Sequence, residues 1–210
     1  MVRQAYRDPQ VFLLSPAFCG GRRAAILQRQ DSTLPLARAF RDGTLTLGEA
    51  FSFLSGLYFR GKFSYARAFA RAPDELGPIL IVTPTRGLQQ PEMRFTPDIM
   101  GEFASVDVSA TDARYRRPME RDVQALAARL PATTRVVLLG SVASNKYVDI
   151  LMSILGPRLF YPPSFIGRGD MSRGGLMLRS VAAGVELDYA VLDSTAIRHG
   201  PRPPKLVPLR

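Results

Sequence analysis

Hydrophobic residues in this chain fall into separated runs, and the period of each run predicts its element. Five runs read as strands: Val11–Leu14, Ile79–Val82, Arg135–Leu139, Arg158–Tyr161 and Val185–Leu192. The second and third are continuously apolar, the pattern of strands covered on both faces of a parallel sheet. The last alternates, with Glu186 and Asp188 on one face, and predicts an edge strand. Between the strands, apolar positions recur every three or four residues over Leu47–Leu57, Phe63–Ala72, Pro118–Leu130 and Lys146–Leu155, which predicts helices. Pro118 suits a first turn, Glu120 and Asp122 favour the positive end of the helix dipole, and Pro131 closes that helix. Gly156-Pro157 stops the last one.

Strands that alternate with helices predict a layered α/β domain. The expected form is a three-layer sandwich over residues 1–199 with a mostly parallel central sheet of four to five strands. A basic, proline-rich tail follows over residues 200–210. Only the first few residues and this tail are expected to be weakly ordered.

Ligands of open parallel sheets bind beyond the carboxyl ends of the strands. The loops expected there are Ser15–Arg23, Thr83–Gln90, Gly140–Lys146 and Gly167–Arg173. All four combine glycine with hydroxyl, amide or cationic residues. The first places Gly20-Gly21 before Arg22 and Arg23, a candidate backbone nest with charge partners. It matches neither the spacing of a phosphate-binding P-loop nor that of a dinucleotide fingerprint. The third offers Ser141, Ser144, Asn145 and Lys146 at a helix start, either as a polar pocket or as simple caps. In the fourth, Arg168 and Arg173 flank Asp170 and Ser172, and such neighbours keep a carboxylate ionised. Gly56–Lys62 interleaves Tyr58 and Phe59 with Arg60 and Lys62, which suits base stacking with backbone contacts and equally suits core packing.

Composition narrows the partner. The 210 residues carry 28 Lys and Arg against 18 Asp and Glu, a net charge of +10. Such a balance points to an acidic partner, most often a nucleic acid. Gly20–Arg41 holds five arginines and one aspartate, and the end of the chain holds Arg198, Arg202, Lys205 and Arg210 with no acid. One cysteine, Cys19, and one histidine, His199, cannot form a disulfide or fill a zinc shell, and no cofactor is expected. Cys19 reads as a small buried hydrophobe and His199 as a surface residue. With no apolar run of bilayer length and no secretory leader, a cytoplasmic, membrane-free monomer is expected.

The order of strand, Ser15-Pro16, glycine-rich turn, Thr85-Arg86-Gly87-Leu88 and Leu139-Gly140-Ser141 resembles the uracil-DNA-glycosylase-like α/β superfamily. Its poorly characterised bacterial members include domains related to the peroxide-stress YaaA proteins and to archaeosine synthase. In local sequence the likeness rests on Ser15-Pro16, Tyr58–Lys62 and Arg86–Leu88. It implies an enzyme that extrudes a nucleobase into a pocket at the strand carboxyl ends, on DNA rather than RNA. The first loop holds no Asp or Asn and the late segment reads His199-Gly200-Pro201, so uracil itself is not the implied substrate. On this reading Asp170 and Asn145 are catalytic. Ser15, Ser141, Tyr58 and Ser172 contact the base. Arg22, Arg23, Arg60, Lys62, Arg86, Lys146, Arg168 and Arg173 contact phosphates. Two further readings are a non-catalytic DNA- or RNA-binding protein of repair or defence, and an enzyme on a free nucleotide or small anionic metabolite.

Overall fold

The computed structural model describes residues 8–71, 77–204 and 206. The predicted helix end at Ala72, the weakly ordered start of the chain, and Lys205 and Arg210 of the basic tail lie outside them.

The chain is an α/β domain whose sheet runs β3-β2-β1-β4-β5-β6. The strands are β1 (Gln10–Leu14), β2 (Ile79–Val82), β3 (Leu88–Gln89), β4 (Arg135–Leu139), β5 (Leu159–Tyr161) and β6 (Ala190–Val191). β2, β1, β4 and β5 are parallel, while the two-residue edges β3 and β6 pair antiparallel. The sheet therefore has six strands, two more than the parallel core that hydrophobic runs reveal.

Among the described residues, eight α-helices surround it: α1 (Arg22–Gln28), α2 (Pro35–Arg41), α3 (Leu47–Ser55), α4 (Leu57–Phe69), α5 (Pro97–Ala104), α6 (Ala113–Arg129), α7 (Asn145–Leu155) and α8 (Asp170–Ala183). β1 sits at the centre with every residue buried, and its side chains alternate between two cores. Phe12 and Leu14 join a core with α1 to α5 and α8; Val11 and Leu13 join one with α6 and α7. Helices thus cover both faces of the sheet.

Four differences from the sequence pattern have local causes. The helix predicted from Pro118 starts at Ala113, because Asp112 accepts a hydrogen bond from the Arg114 N–H and caps an earlier turn. Tyr115 and Met119, both fully buried, hold that turn to the core despite the internal proline. Gly56–Lys62 is no connector: Gly56, at φ 60°, ends α3, and residues 57 onward are already α4.

The run from Val185 does not pair until Ala190. Side chains occupy its polar groups first: the Leu187 N–H donates to the Tyr65 hydroxyl at 2.7 Å, the Tyr65 and Tyr189 hydroxyls share a hydrogen bond at 2.6 Å, and Glu186 pairs with Arg71 and Gln10. Arg158 lies in a 3-10 turn rather than in β5, where its guanidinium donates to the Ala127 and Leu130 carbonyls at the end of α6.

The glycine-rich stretch after Tyr161 is also mostly helix. A 3-10 turn covers Pro163–Phe165, residues 166–169 are turn and loop, and α8 begins at Asp170. Residues 200–204 run against this turn, where Arg168 donates to the Pro204 carbonyl at 3.4 Å.

Candidate functional site

A cavity of about 610 Å³ opens at the carboxyl ends of β1, β2 and β4. Its walls come from Ser15–Ala24 after β1, Pro84 after β2, and Ser141, Ser144, Lys146 and Tyr147 after β4. The remaining wall is Leu54 and Ser55 of α3, Tyr58 of α4, Phe103–Val108 around the end of α5, and Asp170 at the start of α8. The volume lies within the range of pockets that enclose a small organic ligand.

The floor is a buried polar cluster beneath Ser15. Lys62, on α4, is fully buried. Its Nζ donates to the Ser15 carbonyl at 2.6 Å and lies 2.9 Å from Ser15 Oγ. The Tyr58 and Phe59 rings flank the amine, their centroids 4.3 and 4.8 Å away. Burial pushes the Lys62 ammonium down to about 7; Asp170 raises it and Arg173 lowers it, each by charge. The rings favour the charged form, but full desolvation outweighs them.

Tyr147 stands on the opposite side. Its hydroxyl donates to the Ser141 carbonyl at 2.9 Å. Burial raises its phenol, opposed by hydrogen bonding with the Ser15 side chain and the Ser141 backbone. Gly140 lets these groups meet, since a Cβ there would lie 2.8 Å from the Tyr147 hydroxyl and 3.3 Å from Ser15 Oγ. The Tyr58 hydroxyl is buried, and burial raises its phenol well above the usual range, opposed by the Arg173 guanidinium.

The rim is charged. Arg22 and Lys146 are exposed, and the Asp170 side chain is 68% exposed, with its carboxylate 3.4 Å from the Arg173 guanidinium. Arg23 also lines the rim, although its NH1 donates to the Phe53 carbonyl at 2.8 Å. Asp107 adds a second carboxylate. Ser144 occupies the N-cap position of α7 without making a cap hydrogen bond. Its hydroxyl is therefore free for the cavity rather than spent on the helix.

Seven of the residues given catalytic, base or phosphate roles from sequence meet at this cavity: Ser15, Arg22, Arg23, Tyr58, Ser141, Lys146 and Asp170. The others are placed elsewhere. Asn145 accepts a hydrogen bond from Arg198 at 2.7 Å, and Ser172 is bonded to Arg168 at 3.2 Å. Arg86 forms an ion pair with Glu102 at 2.6 Å. Arg60 faces a separate groove beside Glu49 and Gly56. Arg168 holds the Ser164 and Pro204 carbonyls.

Lys62 and Arg173 are not rim cations, because both are buried. Arg173 donates to the Phe165 carbonyl at 3.1 Å and to Asp170. Burial pushes the Cys19 thiol up to about 12, and His199 is exposed.

Sequence reasoning missed Tyr147, Phe18 and the Phe103–Val108 wall. Phe18 had a signal, being an aromatic residue in a glycine loop, and it stands 73% exposed.

Among the described residues, no His, Cys, Asp and Glu side chains gather to hold a metal ion, and no helix is long and apolar enough to cross a membrane. Comparison with family models, with curated proteins and with solved structures gives no match.

Proposed function

We propose that this chain is an enzyme of glycosylase-like architecture that takes a single nucleotide of DNA into its cavity and acts on the nucleobase. One observation carries the reading: an interior lined by hydroxyl and aromatic groups (Ser15, Tyr58, Ser141, Ser144) lies beneath a rim that carries the exposed cations Arg22 and Lys146. A neutral, hydrogen-bonding base fits the interior, and its phosphates fit the rim.

Asp170 stands on the rim, its carboxylate 3.4 Å from the Arg173 guanidinium. In glycosidic cleavage its carboxylate positions a water or stabilises the developing cation on the sugar. Ser141 and Ser144 contact the base edge. Asn145, engaged with Arg198, has a positioning role, fixing the segment that follows β6.

Incubation with duplexes that carry hypoxanthine, alkylated or hypermodified bases, followed by hot alkali, tests the reading. Strand breaks that vanish in Asp170→Asn, with DNA binding retained, support it. Binding without breaks on every substrate makes the chain a non-catalytic binder instead.

A second reading, action on a free nucleotide, draws support from the small number of exposed cations on the rim among the described residues. Thermal stabilisation by a mononucleotide, with little affinity for DNA, selects it.

A further inference from the structure

We propose that Ser15 and Lys62 form a serine–lysine nucleophile pair, through which the cavity cleaves an ester or amide of a small acyl donor. The inference needs the cavity but not the nucleobase reading.

Three structural facts support it. Ser15 directly follows the fully buried central strand β1 and lies on the cavity wall. Lys62 reaches it from α4, with Nζ 2.9 Å from Oγ. The second contact of Nζ, at 2.6 Å, is the Ser15 carbonyl, an oxygen that can only accept. A neutral amine satisfies both contacts: one N–H donates to the carbonyl, and the nitrogen lone pair accepts the Ser15 hydroxyl proton.

Burial favours that neutral form, with Lys62 held down to about 7. The charged groups facing it are Asp170 and Arg173, both on α8, and they act in opposite directions. A desolvated lysine beside a serine hydroxyl is a recognised general base, and strongly perturbed groups cluster at functional sites. An uncharged interior suits a carbonyl better than a phosphoryl dianion.

In the acylation step Lys62 Nζ takes the Ser15 proton as Oγ bonds to the acyl carbon. The bond to the leaving group breaks, and the Lys62 ammonium returns its proton to that group. Water then attacks the acyl-serine through the same base, releasing the acid and restoring Ser15.

The test treats the full chain with a fluorophosphonate probe and maps the adduct by mass spectrometry. In that reaction Oγ bonds to phosphorus, fluoride leaves, and Lys62 takes the proton. The expected result is an adduct at Ser15 and none in Ser15→Ala. Its rate should rise about tenfold per pH unit below 7 and level off above. Lys62→Met should slow it by about 100-fold or more, the usual contribution of a general base. If Lys62→Met fails to fold, as judged by its melting transition, the wild-type pH profile decides. No adduct on Ser15 in the folded protein, or a rate flat between pH 6 and 8, overturns the proposal and leaves Lys62 as a clamp on the Ser15 carbonyl. Strand breakage that depends on Asp170 reads the nucleobase hypothesis separately, so either idea can fail alone.

Discussion

Gly61 of α4 and Gly174 of α8 meet backbone to backbone where the two helices cross. A Cβ on Gly61 would lie 2.7 Å from the Gly174 carbonyl oxygen, and a Cβ on Gly174 would lie 2.6 Å from that of Leu57. The contact is tighter than any side chain allows, and it places Lys62, one residue from Gly61, beneath Asp170 and Arg173. The buried amine of the site therefore owes its position to two glycines that bind nothing.

Neighbouring glycines of α8 should respond with opposite sign. Gly174→Ala gains helix propensity but drives a methyl into the backbone of α4, which cannot yield cheaply. A net loss of about 1–3 kcal/mol is expected. Gly175→Ala meets only the Leu206 side chain, at 3.5 Å, and should be neutral or stabilising by up to about 1 kcal/mol. Chemical denaturation of both variants measures the difference; equal losses would place the tight contact elsewhere.

The same pair shows how far the sequence can be read. The parallel strands are legible because each is a short apolar run buried on both sides, and the sheet edge where the loops gather follows from their order. The arginine- and glycine-rich stretch after Tyr161 looks like a binding loop in sequence. Its Gly174 serves a helix crossing, and its Arg173 is a buried tie to Phe165. Composition cannot separate these uses, since a glycine for close approach to a ligand and a glycine for close approach to a helix are the same residue. Lys62 was equally opaque: its burial depends on α8, which arrives much later in the chain. The first half of the Val185–Leu192 run alternates like a strand, yet Tyr65, Tyr189 and Glu186 capture it with side-chain bonds that periodicity does not encode.

The start of α3 gives a local stability test. Thr46 and Glu49 form a reciprocal capping box, in which the Thr46 hydroxyl accepts from the Glu49 N–H and the Glu49 carboxylate accepts from the Thr46 N–H at 2.9 Å. The Thr46 hydroxyl, which donates to the same carboxylate at 2.7 Å, and then the Thr46 N–H hold the Glu49 carboxyl below its ordinary range. Thr46→Ala should cost about 1 kcal/mol, read as a lower midpoint in a urea titration at neutral pH.

Rim charge should appear in salt dependence. If Arg22 and Lys146 each neutralise one phosphate, Arg22→Ala and Lys146→Ala should each reduce the slope of log binding constant against log salt by about 0.9 on a duplex. Arg86→Ala serves as a control, because that guanidinium is engaged by Glu102, and should leave the slope unchanged. Gel shifts at several salt concentrations measure all three; equal slopes for every variant would remove the rim from the interface.

Lys62 predicts a pH dependence of folding independent of any substrate. Its folded value is about 7, against 10.5 for the free side chain. Between those values the unfolded chain binds the proton and the folded chain does not. Stability should therefore rise with pH from 7 toward 10.5, and the gain is lost as pH falls through 7. One proton sets the ceiling of the slope at about 1.4 kcal/mol per pH unit. Lys62→Met has no proton to release, so the difference between wild-type and variant stability should shift in favour of wild type across pH 7–9. Urea denaturation of both at half-unit steps measures it. A constant difference over that window would mean that Lys62 stays charged in the fold, and the base assigned to Ser15 would then be missing at neutral pH.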